Sequence, residues 1–583
     1  MKINKNKLFI SFFVLVFVAI SVLLVWSNKE YDILTNGFDI TLFQNEFSPV
    51  VFFLKILNTD ISSHELLRLI SLLPYFFIYI INDFLGIEFT IAFLIFFVFV
   101  SIFLCFRSIL NHALSYKLGD VFVNFFSFLS SILFVFSIGV VLNFYSFAIH
   151  NITFIIYFAF QISLLLNYFD SIRSNNAKRA KTKFTLFSLF LLSLVFGSFV
   201  VNLNLFLLNF IVIILLTYIF LQNKNFFIKL RTSLLFGVIV IIVPLICIYI
   251  PKILATNIVV ESNNGVLRNS IFNFIAPFYY QFNWLTYSYF DNTLEANINF
   301  YSDWIKIVYS FLTFTFVTIS LLLTILGYIF LFSNTIVIKP DYKRLIKFFI
   351  PIIILFFILE SNNLTLINAN SITCDFFCFI SSTMSLYEFI KVLGIIFFCI
   401  TVSRFFIRTF KVNLNGIIAL FCFLLIFFQS YYVFQNGFLN KNLQLQIPDY
   451  FSLIDEYISS EKVGTKTVLV IPLENNTKFF RYKWGYYGIG FLNLISVNRY
   501  LDPFYFFSSS KYNQFLIDLS TYMKYPSSFY YLLREYDIDY ILFDFSISVD
   551  EAVYQYFLQN VKPILDFELN IVKQSSDFVI YSL

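Results

Sequence analysis

The sequence predicts a polytopic α-helical membrane protein, about eleven to thirteen spans, that carries a C-terminal α/β domain outside the membrane. Three observations predict it. Charged residues make up 13% of the chain and hydrophobic ones 59%, about half the charge of an ordinary soluble protein. The apolar residues fall into blocks of span length, about 20 residues each, rather than short core stripes. After Gln435 the composition changes, and short strands and helices alternate behind a polar linker.

The first block runs from Leu8 to Trp26 behind Lys2, Lys5 and Lys7. It is long for a signal-peptide core and no small-residue cleavage site follows, so it reads as an uncleaved span with its N-terminus in the cytosol. Further blocks cover 66–84, 89–106, 121–142, 152–169, 184–201, 203–221, 233–250, 305–332, 348–359, 386–407 and 416–435. These define a membrane domain over 1–435, with external loops at 27–65 and 251–304, ahead of a soluble domain at 436–583.

Orientation follows from basic loops, which stay on the cytosolic side. Arg173, Lys178, Arg179, Lys181 and Lys183 form one cluster, and Lys224, Lys229 and Arg231 another. Lys339, Lys343, Arg344 and Lys347 form a third, and Arg404, Arg408 and Lys411 a fourth. Their spacing agrees and puts 251–304, 360–385 and the C-terminal domain outside. Counting every early block as one crossing puts that domain inside instead. Either one block between 66 and 106 does not cross, or a further crossing lies near 47–57 or within 121–169.

Composition excludes some functions. A formal net charge of +5 over 583 residues gives no electrostatic footprint for nucleic acid. The excess of Phe, 86 residues, reads as lipid-facing bulk and not as an aromatic binding box. The six Cys carry no zinc spacing; Cys374 and Cys378 share an external loop, where a disulfide stays open. No P-loop, dinucleotide fingerprint or HExxH is present.

In the C-terminal domain, Thr467 to Leu473 and Asp539 to Phe545 read as buried strands, Ser527 to Tyr536 and Val549 to Val561 as helices. Phe567 to Lys573 and Asp577 to Tyr581 read as a terminal strand pair.

Three external stretches hold the candidate chemistry. The loop after the first span, NGFDITLFQNEFSPVVFF, contains Asp39 and Glu46. A carboxylate at the membrane surface can act as a general base or hold a divalent cation; a solvated charge or a helix cap is the commoner use of any single one. The 251–304 loop offers Arg268 amid aromatic residues suited to the interface. In FFRYKWGYYGIGF, Arg481, Lys483, Trp484 and Tyr486 suit stacking on a sugar and gripping a phosphate, and equally suit docking on the membrane domain. Within the spans Arg68 and Glu388 stand out, both near block ends from which a side chain can snorkel.

This layout resembles the C-type, polyprenyl-phosphate-sugar-dependent membrane glycosyltransferases, in their arabinofuranosyltransferase-like and YfhO-like branch. GFDITLF with SPVVFF, VLVIPL leading into YKWGYYGIGF, and LLREYDIDYILFDF before DFVIYSL carry the likeness. It implies an inverting enzyme of the cell membrane that moves a sugar from a polyprenyl-phosphate-linked donor to an extracytoplasmic glycan, lipid or protein acceptor. It assigns the acceptor's base to Asp39, with Glu46 in reserve; Arg268 is the candidate for the donor phosphate. The tandem acidic pair common in this loop of the family is missing, which leaves a divalent cation open. Two rival classes fit the same spans: a flippase for lipid-linked glycans, and a structural assembly protein whose C-terminal domain recruits a partner.

Overall fold

The computed structural model describes residues 5–25, 32–35, 41–43, 75–113, 119–145, 147–173, 179–196, 203–220, 229–236, 288–291, 296–299, 311–332, 383–411, 414–429, 438–439, 444–460, 466–473, 480–488, 490–496, 498–501 and 526–583, with a few isolated positions between and single ones left out. Asp39, Glu46, Arg68, Arg268, Cys374 and Cys378 lie outside the described residues.

The first helix, α1 (Lys5–Val25), precedes a hairpin of β1 (Ile33–Thr35) and β2 (Thr41–Phe43). The bundle continues through α2 (Phe76–Ala113), α3 (Asp120–Val135), α4 (Ile138–Tyr145), α5 (Ile149–Arg173), α6 (Arg179–Val195) and α7 (Leu203–Phe220). A second hairpin, β3 (Ser288–Asp291) with β4 (Ala296–Asn299), falls within the long external loop of the sequence reading. Helices α8 (Phe311–Phe332), α9 (Thr383–Phe410) and α10 (Asn415–Gln429) complete the bundle. Among the described residues, 4 helices are long and apolar enough to cross a membrane, and 5 when α3 and α4, bent by 51° at their junction, count as one span.

Two departures from the sequence reading have clear causes. The blocks 66–84 and 89–106 abut directly in their described part, two helical stretches of α2 that meet at a kink at Gly86 (φ 77, ψ 173). That left-handed geometry suits glycine because it has no Cβ, and the Thr90 hydroxyl bonds the Gly86 carbonyl at 2.7 Å. Nor is phenylalanine only lipid-facing. Phe12, Phe84 and Phe187 are exposed on the bundle surface, but Phe17, Phe99 and Phe126 are buried in it. Phe13 stacks on Phe128 at 4.1 Å and Phe17 on Phe99 at 4.8 Å, tying α1 to α3 and α2.

Lipid is as apolar as a helix core, so close packing and polar contacts hold such helices together. Helices α8 and α9 use both. A Cβ on Gly327 would collide with the Gly394 carbonyl, and one on Gly394 would lie 2.8 Å from the Thr324 methyl. At this approach the Tyr328 hydroxyl reaches the Ile390 carbonyl at 2.7 Å and that of Thr324 reaches the Lys391 carbonyl at 3.2 Å. Gly394→Val should force the pair apart and cost about 1–3 kcal/mol, read as a lowered unfolding midpoint in detergent; an unchanged midpoint would contradict this packing.

Behind the bundle come β5 (Gln444–Leu445) and α11 (Tyr450–Ser460), then a five-stranded sheet. Its strands are β6 (Thr467–Ile471), β9 (Arg499–Leu501), β10 (Tyr540–Asp544), β11 (Asn570–Gln574) and β12 (Phe578–Ser582), in the order β11-β12-β10-β6-β9. A small hairpin, β7 (Phe480–Arg481) with β8 (Tyr487–Gly488), interrupts the chain between β6 and β9. Strand β6 runs parallel to both β10 and β9. Every residue of β6 and β10 is buried, as expected of parallel strands covered on both faces. The strands and helices predicted at 467–473, 527–536 and 539–545 stand within two residues of their places.

Candidate functional site

The stretch after α1 is built into the C-terminal domain. Strand β1 pairs with β2 on one side and with β5 on the other, Leu34 opposite Gln444 and Ile33 opposite Leu445. Strand residues alternate faces, and here the alternation joins two cores. Ile33 is buried among Phe451, Ile454 and the strands of the C-terminal sheet, whereas Leu34 and Leu42 are buried with the membrane bundle. Asp32 closes the seam: its amide donates to the Leu445 carbonyl at 3.0 Å and its carboxylate accepts from the Ile447 amide at 2.9 Å. The loop after α1 and the start of the C-terminal domain therefore share one side of the bundle. In the sequence Asp39 stands between β1 and β2, and Glu46 follows β2.

Glu388 does not snorkel. It is 0% exposed and forms an ion pair with Lys391, itself 2% exposed, at 2.6 Å one turn along α9. Its other carboxylate oxygen accepts from the Gly139 amide at 3.2 Å, in the first turn of α4. Lys391 was missed in the sequence, although its i, i+3 spacing from Glu388 is the usual signal of a helical pair.

The aromatic stretch of the C-terminal domain packs inward. Trp484 stacks on Tyr486 at 5.5 Å, and both meet Phe491 edge-on. Tyr486 is 1% exposed, so its ring serves the core rather than an open stacking surface. Lys483 is exposed and lies 5.2 Å from the Tyr554 ring centroid; Arg481 is half-buried, its carbonyl holding the Ser548 amide at 2.6 Å. The side chain of Tyr487 is outside the described residues.

Asp544 escapes a sequence reading, which sees only the last residue of the apolar strand YILFD. It ends β10 at 0% exposure. One oxygen accepts from the Ser546 amide at 2.9 Å and hydroxyl at 2.6 Å, and Tyr450 donates onward to that hydroxyl at 2.5 Å. The other oxygen, like the Trp484 indole nitrogen, is buried without a hydrogen-bond partner among the described residues. Burial pushes the Asp544 carboxyl up to about 6, with the Ser546 bonds pulling it back and Asp577 adding to the rise. A raised folded value means that the group stabilises the fold fully below its unfolded pKa near 3.8 and loses that contribution as pH rises through about 6. Hydrogen exchange at β10, corrected for intrinsic rates, should therefore show weaker protection at pH 7 than at pH 4.5. Asp544→Asn should remove most of that difference, worth roughly 2 kcal/mol between these two pH values by linkage; an unchanged difference would contradict the assignment.

Among the described residues no group of three or more His, Cys, Asp or Glu could hold a metal ion.

No protein-family model matches the sequence, and no curated protein matches it. Solved structures do match in fold. One is a cryo-EM structure of a mutant of the arabinofuranosyltransferase AftD from Mycobacteria, with a TM-score of 0.54 at 12% identity over 98% of this chain and 41% of that one. A second structure of AftD from Mycobacteria gives 0.50 at 11% identity over 98% and 39%. The chain thus spans about two fifths of the length of these neighbours. Over its own length the chain shares the fold of the matching part of AftD, the fold that the resemblance of its motifs implies.

Proposed function

We propose that this protein is a membrane glycosyltransferase of the C-type architecture, moving a sugar from a polyprenyl-phosphate-linked donor to a glycan, lipid or protein acceptor on the outer face of the cell membrane. The observation that carries the proposal is the seam of β1 with β5, which fixes the strands flanking Asp39 between the bundle and the C-terminal domain. A donor whose tail lies in lipid and whose sugar lies in water needs a base at that boundary. Asp39 takes the proton of the acceptor hydroxyl as that oxygen attacks the anomeric carbon, and the polyprenyl phosphate leaves with inversion. Glu46 is the reserve base. Arg268 would pair with the leaving phosphate, and Arg481 and Lys483 with the acceptor.

The topology agrees with this reading. An odd number of crossings, eleven or thirteen, would carry a cytosolic N-terminus to an external C-terminal domain, as the basic loops require. Reconstitution with a lipid-linked sugar confined to one leaflet tests the function. Transfer releases free polyprenyl phosphate. Intact donor appearing in the opposite leaflet, with no release, would make the protein a transporter instead.

A further inference from the structure

We infer that the buried Glu388–Lys391 pair is a positioning device: it caps the outer half of a broken span and thereby sets the seam between the membrane bundle and the C-terminal domain.

The argument starts at the break. Helix α3 ends at Val135 and α4 begins at Ile138, bent by 51°. The Phe136 and Ser137 amides still bond back to Ile132 and Phe134, and the Val140 and Val141 amides bond to the Ser137 carbonyl. The first turn of α4 has no preceding helical turn to accept its remaining amides, and water cannot do so inside a bilayer. The Glu388 carboxylate accepts from the Gly139 amide at 3.2 Å, and a negative charge at a helix N-terminus is favourable. A lone carboxylate there would be costly to bury. Lys391 neutralises it at 2.6 Å, and the Thr324 hydroxyl takes the Lys391 carbonyl at 3.2 Å.

The other end of α4 points to what is positioned. Phe144 packs against Phe438 with ring centroids 4.9 Å apart. Phe438 and Leu439 are buried in the bundle core, just ahead of β5. A tilt of α4 about its capped end therefore moves the residues from which β5 sets out toward β1. The path runs from Glu388 through Gly139, Phe144 and Phe438 to the Leu34–Gln444 register. Glu388 and Lys391 act here through structure and take no part in the chemistry. The inference stands on geometry alone and does not need the proposed reaction.

The test is a cysteine pair, Leu34→Cys with Gln444→Cys, placed across that register in the full chain, its disulfide yield measured under mild oxidant. Two further double variants separate capping from charge. Glu388→Gln with Lys391→Met removes both charges and keeps an acceptor for the Gly139 amide; cross-linking should stay at the level of the parent pair. Glu388→Leu with Lys391→Met removes the acceptor as well, and cross-linking should fall about tenfold, the ratio expected for one buried amide left without a partner. If the Leu variant fails to accumulate while the Gln variant folds, the cap is equally supported. Equal cross-linking in the two variants overturns the inference, and so does failure of both to fold, which would make the ion pair itself the requirement. Neither readout involves sugar transfer, so the proposed activity can fail while this inference holds.

Discussion

Asp39→Asn is expected to slow sugar transfer by about 10²–10⁴-fold while leaving donor affinity unchanged. A positioned general base contributes on that scale, and an amide of the same shape cannot take the acceptor proton. The loss should appear in kcat, because the carboxylate acts on the hydroxyl in the transition state and not on the donor phosphate. Glu46→Gln should cost far less if Asp39 is the base; the reverse ranking would transfer the role to Glu46. Flanking strands β1 and β2 owe their pairing to the backbone and to Ile33, Leu34 and Leu42, so the substitution should leave the fold intact.

Ile33→Asp should do the opposite, sparing every proposed catalytic group while breaking their support. Ile33 is 0% exposed within the core of the C-terminal domain. An unpaired carboxylate there costs about 3 kcal/mol or more, enough to expel β1 from its pairing with β5. The Ile447 amide, bonded to Asp32, should then lose its protection against hydrogen exchange. Transfer should fall along with it, and through a weaker hold on the acceptor as well as a lower kcat. Retained protection at Ile447 would show that the two domains are joined elsewhere.

Much of this fold was legible because hydropathy is local. The spans and the strands TVLVI and YILFD announce themselves through runs of apolar residues. What stayed hidden depends on distant neighbours. Asp32 meets Ile447 across 415 residues of sequence, and nothing near NKEYDILT predicts it. Glu388 looked like a snorkelling charge because the sequence gives its depth in a helix but not the broken helix that faces it. Trp484 and Tyr486 have the composition of a sugar platform, yet stacking on one another within reach of Phe451 and Phe491 is the better use of their area in a small domain. Gly86 was one glycine in an apolar stretch; only its positive φ shows that the helix kinks there, between the two blocks.

The central claim, that the first external loop holds the reacting end of a lipid-linked sugar, is tested most directly by photo-cross-linking. A polyprenyl-phosphate sugar bearing a diazirine on the sugar would be irradiated with the wild-type protein in vesicles and the adducts mapped by mass spectrometry. The account predicts adducts within 27–65, competed away by unlabelled donor. Adducts confined to the basic loop at 173–183, or none that donor displaces, would contradict it.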